Sequence, residues 1–147
     1  TCDSNGNPAS EFLYRLDSEG NLEEIGRCSL VYNSNGTNNS YVVEMLENGD
    51  WIETEKRQRT ASFDANGNLL NSYSYSYSKS TNNYGLYSFS VQQNESRTEN
   101  RYNELGYISY SSDSSISNTC YVYSDGREEK NSSESKRESY YTTIKVR

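Results

Sequence analysis

The chain has 147 residues, 31% of them hydrophobic, and a formal net charge of −7. That apolar share is well below the roughly 45–50% of an ordinary globular domain, and the acidic balance excludes the basic stripe that a nucleic-acid partner requires. The chain has no histidine, which excludes Ser-His-Asp and Cys-His catalysis, His-ligated zinc and histidine general bases; it has no run of about 18 apolar residues, and hence no membrane span.

Leu, Ile, Val and Phe together supply only 23 residues, a scarcity that with this charge normally reads as disorder. Two features oppose that reading. There is one proline, and there are 15 tyrosines set at alternating positions. Tyrosine is large, favours strands and tolerates partial exposure.

In chain order, the first element is a turn, Asp3-Ser-Asn-Gly6-Asn7. Phe12 and Tyr14 then share one face of a strand that ends at Asp17-Ser-Glu-Gly20-Asn21-Leu22. A looser copy of the turn is Asn33-Ser-Asn-Gly36. Tyr41, Val43 and Met45 line one face of the strand before Asn48-Gly49. Trp51 to Phe63 is polar on both faces, so it is a strand exposed on both sides (single-layer or edge) or a loop. The turn recurs at Asp64-Ala-Asn-Gly67-Asn68-Leu69. Tyr73, Tyr75 and Tyr77 then alternate with serines, and Tyr87, Phe89 and Val91 alternate with Ser88, Ser90 and Gln92. A polar turn at Lys79–Asn83 would join these two runs into a hairpin with one aromatic face.

Asn103-Glu-Leu-Gly106-Tyr107-Ile108 repeats the turn, with a shorter relative at Ser124-Asp125-Gly126. The Ser-, Glu- and Lys-rich stretches Asp113–Asn118 and Glu128–Glu138 read as long loops or exposed strand edges. Tyr140–Val146 reads as a terminal strand.

The turns share one logic. An Asp or Asn side chain accepts backbone N–H bonds, Gly takes the left-handed conformation, and an apolar residue opens the return strand. Asp17, Gly20, Asn33, Gly36, Asp64, Gly67, Asn103 and Gly106 are the structural turn residues. Turns fall roughly 13 to 20 residues apart where they are clear, a spacing that suits two short strands per unit. No segment carries the helical apolar period with caps at both ends. The expected fold is therefore all-β: serial antiparallel hairpins in a meander, repeat-built, forming an extended, single-layer or solenoid-like sheet. Residues 1–147 are expected to form one β-repeat domain, an excerpt or processed part of a longer protein, because neither an initiator Met nor a signal peptide opens the chain.

At Phe63-Asp-Ala-Asn-Gly-Asn-Leu69 the sequence resembles the YD-type, Rhs-like tandem repeats of large bacterial surface and secreted proteins. The match is strongest at Asp64–Leu69 and Asp17–Leu22, partial at Asn33 and Asn103, and absent from about half the chain. The resemblance implies stacked hairpins serving as shells, stalks or adhesive surfaces, and a bacterial extracellular or cell-surface location.

Few constellations carry chemistry. The acid pairs Glu23/Glu24, Glu53/Glu55 and Glu128/Glu129 lack apolar neighbours to raise a pKa and read as solvated strand faces. Asp64, Asn66 and Asn68 superficially resemble a calcium loop, but one carboxylate per loop is too few, so a capped turn is the better reading and no metal or cofactor is expected. Cys2, Cys28 and Cys120 allow at most one internal disulfide, in three pairings, or are buried or incidental thiols. The sequons at Asn35, Asn38, Asn94 and Asn131 bear only on a eukaryotic secretory context.

The candidate binding surface is the aromatic set Tyr73, Tyr75, Tyr77, Tyr87 and Phe89, with Trp51 and Tyr84 nearby. Exposed rings on a flat sheet suit sugar stacking or protein docking; the alternative is that they form the core of a Leu-poor sheet. Two functions follow: a non-enzymatic structural or adhesive segment of an extracellular surface protein or fibre, whose sheet edges meet neighbouring repeats or like subunits, or a carbohydrate- or protein-binding β module using the tyrosine face.

Overall fold

The computed structural model describes residues 1–33, 38–81 and 88–142. These form one eight-stranded sheet: β1 (Ser10–Leu16), β2 (Leu22–Tyr32), β3 (Asn38–Glu47), β4 (Asp50–Phe63), β5 (Leu69–Thr81), β6 (Phe89–Tyr102), β7 (Ile108–Val122) and β8 (Glu128–Tyr140). The spatial order is the chain order, every neighbouring pair is antiparallel, and the sheet does not close on itself. Of the arrangements the sequence left open, this is the single-layer meander.

Nothing covers either face among the described residues. No described apolar side chain is buried, and Gly26 is the one described residue that is. Leu13 and Met45 flank it across β1 and β3, and a Cβ on Gly26 would sit 2.8 Å from the Met45 sulfur. The accessible surface is 10866 Å², against about 7,700 Å² for a compact monomer of this mass.

The strand lengths correct one expectation. Each interval between turns holds one long strand, 15 residues in β7, and not two short ones. Strands in packed sheets average 5–6 residues because they cross a core of limited depth; a single layer imposes no such limit. The same freedom places three polar segments inside the ladder. Trp51–Phe63 lies within β4, between β3 and β5. Asp113–Asn118 is the middle of β7, an interior strand and neither loop nor edge. Lys79 to Thr81 continue β5 and do not turn, and residues 82 and 83 lie outside the described set. Glu128–Glu138 does form an exposed edge, in β8. That strand ends at Tyr140; Tyr141 and Thr142 have left it, and residues 143–147 lie outside the described set, so the terminal strand expected over Tyr140–Val146 does not appear in the described residues.

The turns form one structural unit. In five-residue loops starting at Asp3, Asp17, Asp64, Asn103 and Tyr123, the first residue's N–H donates to the fifth residue's carbonyl at 2.8–2.9 Å, and the glycine N–H donates back to the first carbonyl at 2.9–3.2 Å. Asp64 shows the capping in full. Its Oδ1 accepts the N–H groups of Asn66 and Asn68 at 2.8 and 2.9 Å, and its Oδ2 accepts the Asn68 side-chain amide at 2.9 Å. Asp3 and Asp17 repeat these contacts, and Asn103 Oδ1 makes the two backbone ones. The stretch around Ser124-Asp125-Gly126 is thus the same turn with Tyr123 in first place; there Asp125 Oδ1 accepts the Arg127 N–H at 3.0 Å. The Asn33 turn is represented by its flanking pair Tyr32↔Asn38, and Gly36 lies outside the described residues. Asn48-Gly49 is a two-residue turn with φ of 54° and 93°, the type I′ geometry that matches strand twist.

Gly67 has φ +84 and open space where a Cβ would point, so a substitution there pays only the backbone penalty. Gly67→Ala is expected to cost about 1–2 kcal/mol in urea unfolding, and Gly67→Asn less. Equal losses for both would show that this φ is not what matters.

The cap bonds hold the Asp3, Asp17 and Asp64 carboxyls below the ordinary carboxylate value. The Asn7 and Asn68 side-chain amides are the main cause for Asp3 and Asp64, and the Asn21 backbone N–H for Asp17. With folded pKa values depressed, the unfolded chain binds the extra protons. The stabilisation is therefore complete above the unfolded pKa and is lost as pH falls through the folded values. All three residues are only half-buried at exposed turns, so each effect is small and only their sum is readable. Urea midpoints compared at pH 7 and pH 2.5 are expected to fall further for the wild type than for the triple variant Asp3→Asn, Asp17→Asn, Asp64→Asn. An identical fall in both would refute the linkage.

Candidate functional site

Directly opposed residues in an antiparallel ladder project from the same face, so the register sorts the side chains into two surfaces. One row reads Gln58, Tyr75, Glu95, Ile116, Glu134 across β4 to β8, and the next reads Thr60, Tyr73, Arg97, Ser114, Lys136. On the other face the rows read Arg59, Ser74, Ser96, Ser115, Ser135 and Arg57, Ser76, Asn94, Ser117, Ser133. The first face is aromatic and charged; the second is a carpet of hydroxyls and amides.

The carpet is cross-linked. Ser74 and Ser96 hydroxyls lie 3.0 Å apart, Asn94 donates to Ser76 at 3.3 Å, Ser117 donates to Asn94 at 2.7 Å, and Ser115 meets Ser135 at 2.8 Å. Short side chains at facing positions let each hydroxyl reach the next strand, forming polar ladders perpendicular to the strands.

The aromatic face is roofed by cations. The Arg27 guanidinium sits 4.4 Å from the Trp51 ring centre, Lys79 5.1 Å from Phe89, Arg97 5.4 Å from Tyr73 and Arg101 4.9 Å from Tyr110; a further pair, Arg127 4.0 Å from Tyr123, lies on the opposite face, where Tyr123 bonds Glu129. Such contacts occur roughly once per 70–80 residues in proteins generally, so this sheet is enriched in them. The best-tethered is Arg27, which also makes a bidentate bond to Glu44 at 2.7 and 3.0 Å. Long cationic stems thereby cover ring surface that another layer would cover elsewhere.

Tyr73, Tyr75 and Tyr77 line up along β5, half-buried, with Phe89 facing Thr81 at one end of the row. Burial, with Glu53 nearby, pushes the Tyr77 hydroxyl up from its ordinary pKa. Trp51 shares the face but not the row: it lies four residues beyond the last β4–β5 pair, Glu55↔Ser78, and opposes Leu46 on β3. Tyr87 and Tyr84 lie outside the described residues. The basic side chains over the rings escaped sequence reasoning, because Arg27 and Trp51 stand 24 positions apart and only the β2–β3–β4 register brings them together.

The paired acids are engaged separately. Glu23 binds Arg15 at 2.9 Å, Glu55 accepts from Tyr41 at 3.0 Å, Glu128 meets Lys130 at 2.7 Å and Glu129 accepts from Tyr123 at 2.9 Å. Among the described residues no group of three or more Cys, Asp or Glu could hold a metal ion. All three cysteines are free thiols. Cys28 on β2 and Cys120 on β7 are five strand spacings apart, roughly 24 Å, far beyond the about 7 Å Cα separation a disulfide bridges. Among the described residues no helix is long and apolar enough to cross a membrane.

Compared with known protein families, curated proteins and solved structures, the chain matches none.

Trp51 is the single tryptophan and reports on the cation roof directly. Arg27→Ala is expected to shift its fluorescence to longer wavelength and to raise acrylamide quenching, since the guanidinium no longer shields the ring. Unchanged emission and quenching would show that Arg27 does not cover it.

Proposed function

We propose that this chain is a non-enzymatic structural segment of an extracellular, bacterial cell-surface protein or fibre, which presents broad sheet faces and meets neighbouring repeats or like subunits along its edges. The observation that carries the reading is the coreless single layer: 10866 Å² of accessible surface on a sheet whose chemistry is spread evenly over two open faces. An enzyme concentrates converging groups in a water-excluding cleft, whereas the acids here are paired off on open surfaces. The recurrence of one turn unit, and its likeness to YD-type repeats, support an array. Immunogold labelling of producing cells with an antibody to this chain is expected to decorate the cell exterior or extracellular fibres; label confined to the cytosol would overturn the reading.

A second reading, a carbohydrate-binding face, draws on the Tyr75–Tyr77 row. Tyr75 lies between Gln58 and Glu95, and Tyr77 between Lys56 and Gln93, which places hydrogen-bonding groups beside stacking rings. Glycan-array binding that is abolished in a Tyr75→Ala, Tyr77→Ala variant supports it; no binding by the wild type, or equal binding by the variant, removes it.

A further inference from the structure

The two edges of the sheet differ in chemistry. Of the 13 residues of β8, Glu128, Glu129, Lys130, Glu134, Lys136, Arg137 and Glu138 are charged, the usual protection of an edge against strand addition. The β1 edge is more weakly guarded, with Glu11 and Arg15 as its charged residues, and it exposes apolar side chains: Phe12 is 46% exposed, Leu13 53%, Tyr14 49% and Leu16 66%.

Its backbone is open as well. The Ala9 carbonyl accepts from Leu30 and the Asp17 N–H donates to Asn21, so odd-numbered positions point inward to β2. The bulge in this pair falls on β2, at Ile25, so the alternation along β1 is unbroken. Even-numbered positions point outward. Ser10 is already occupied, because its N–H donates to the Thr1 carbonyl at 3.3 Å and its carbonyl accepts from the Thr1 amine at 3.1 Å. The outward N–H and C=O groups of Phe12, Tyr14 and Leu16 remain.

We infer that this edge pairs with β1 of a second copy, antiparallel and about a two-fold axis, joining two sheets into one of sixteen strands. With Tyr14 opposite the partner's Tyr14, Phe12 faces the partner's Leu16 and Leu16 the partner's Phe12. That register uses every free outward group on both strands and leaves Thr1 in place. Phe12, Tyr14 and Leu16 alternate onto one face, the aromatic one, so their side chains form a continuous apolar seam. Glu11 faces the partner's Asp17 directly and the partner's Arg15 on the diagonal, and Arg15 is already bonded to Glu23 at 2.9 Å, so the apolar seam and the backbone bonds, and not charge, hold the contact. The apolar pattern reads the same from either end, which is what a two-fold contact demands, and a second copy brings that pattern with it. Because β8 is guarded, β1 is the adhesive edge, and this contact taken alone joins two copies.

The inference rests on the reading of the chain as an assembling structural segment and specifies the edge, the partner and the register. Analytical ultracentrifugation of the wild-type protein from micromolar to millimolar concentration is expected to show a monomer–dimer equilibrium. Tyr14→Pro removes an outward N–H that β2 does not use, a replacement an edge strand tolerates. It is expected to weaken dimerisation by at least about tenfold with an unchanged far-UV spectrum. Leu16→Lys, which places a charge in the seam and needs no backbone change, is expected to do the same. A wild type that stays monomeric throughout, a dimer that survives both variants, or growth past two copies overturns the inference. A monomer that still labels the cell exterior sinks the dimer and leaves the proposed function standing; a dimer found only in the cytosol does the reverse.

Discussion

This sheet has no second layer to lean on. In an ordinary domain the large favourable contribution comes from apolar surface removed from water by a facing element. Here each side chain has neighbours only in its own plane, so stabilisation beyond the backbone ladder comes from cross-strand pairs, each contributing roughly 0.2–1 kcal/mol. The residue choices follow. Arginine and lysine reach sideways over rings, tyrosine packs along its length while its hydroxyl stays wet, and serine and asparagine bond to their opposite numbers. Leucine and isoleucine, which gain most from full burial, are scarce, and among the described residues none of them is buried.

The same constraint explains why the turns are braced so fully. A hairpin in a packed domain is held by the layer beneath it. These must hold themselves, and the Asp64 unit does so with a carboxylate that satisfies two backbone donors and one side-chain amide, plus two backbone bonds across the loop. An extra residue follows two of these loops, Leu70 after the Asp64 turn and Ser109 after the Asn103 turn, whereas the ladder resumes evenly after the Asp17 and Tyr123 turns.

Much of this was legible in the residues. The all-β meander, the Tyr73–Phe89 hairpin and the capped turns follow from alternation and from Asx-x-x-Gly spacing. Strand length was not legible, because the usual expectation of short strands encodes the thickness of packed cores, and this sheet has none. Asp113–Asn118 was misread for a related reason: a run of serines resembles a loop only where one face of every strand must be apolar. Arg27 over Trp51 depended on a register that composition does not reveal. The difference between the two edges was in view all along, since Ser10–Leu16 holds Phe12, Leu13, Tyr14 and Leu16 while Glu128–Tyr140 is dominated by charged residues and serines, but it gains meaning only once these prove to be the outermost strands.

The self-contained turn also bears on how such a chain changes over generations. Since each hairpin carries its own closure and touches only the strands beside it, the fold behaves as a one-dimensional stack. A duplication or deletion spanning two strands lengthens or shortens the sheet without disturbing any packing elsewhere, and it preserves the direction of everything downstream. Loss of a single strand with its turn also leaves every neighbouring pair antiparallel, because each turn reverses the chain, but it inverts the direction of every strand downstream. Length variants of this architecture should therefore differ by whole strand-and-turn units.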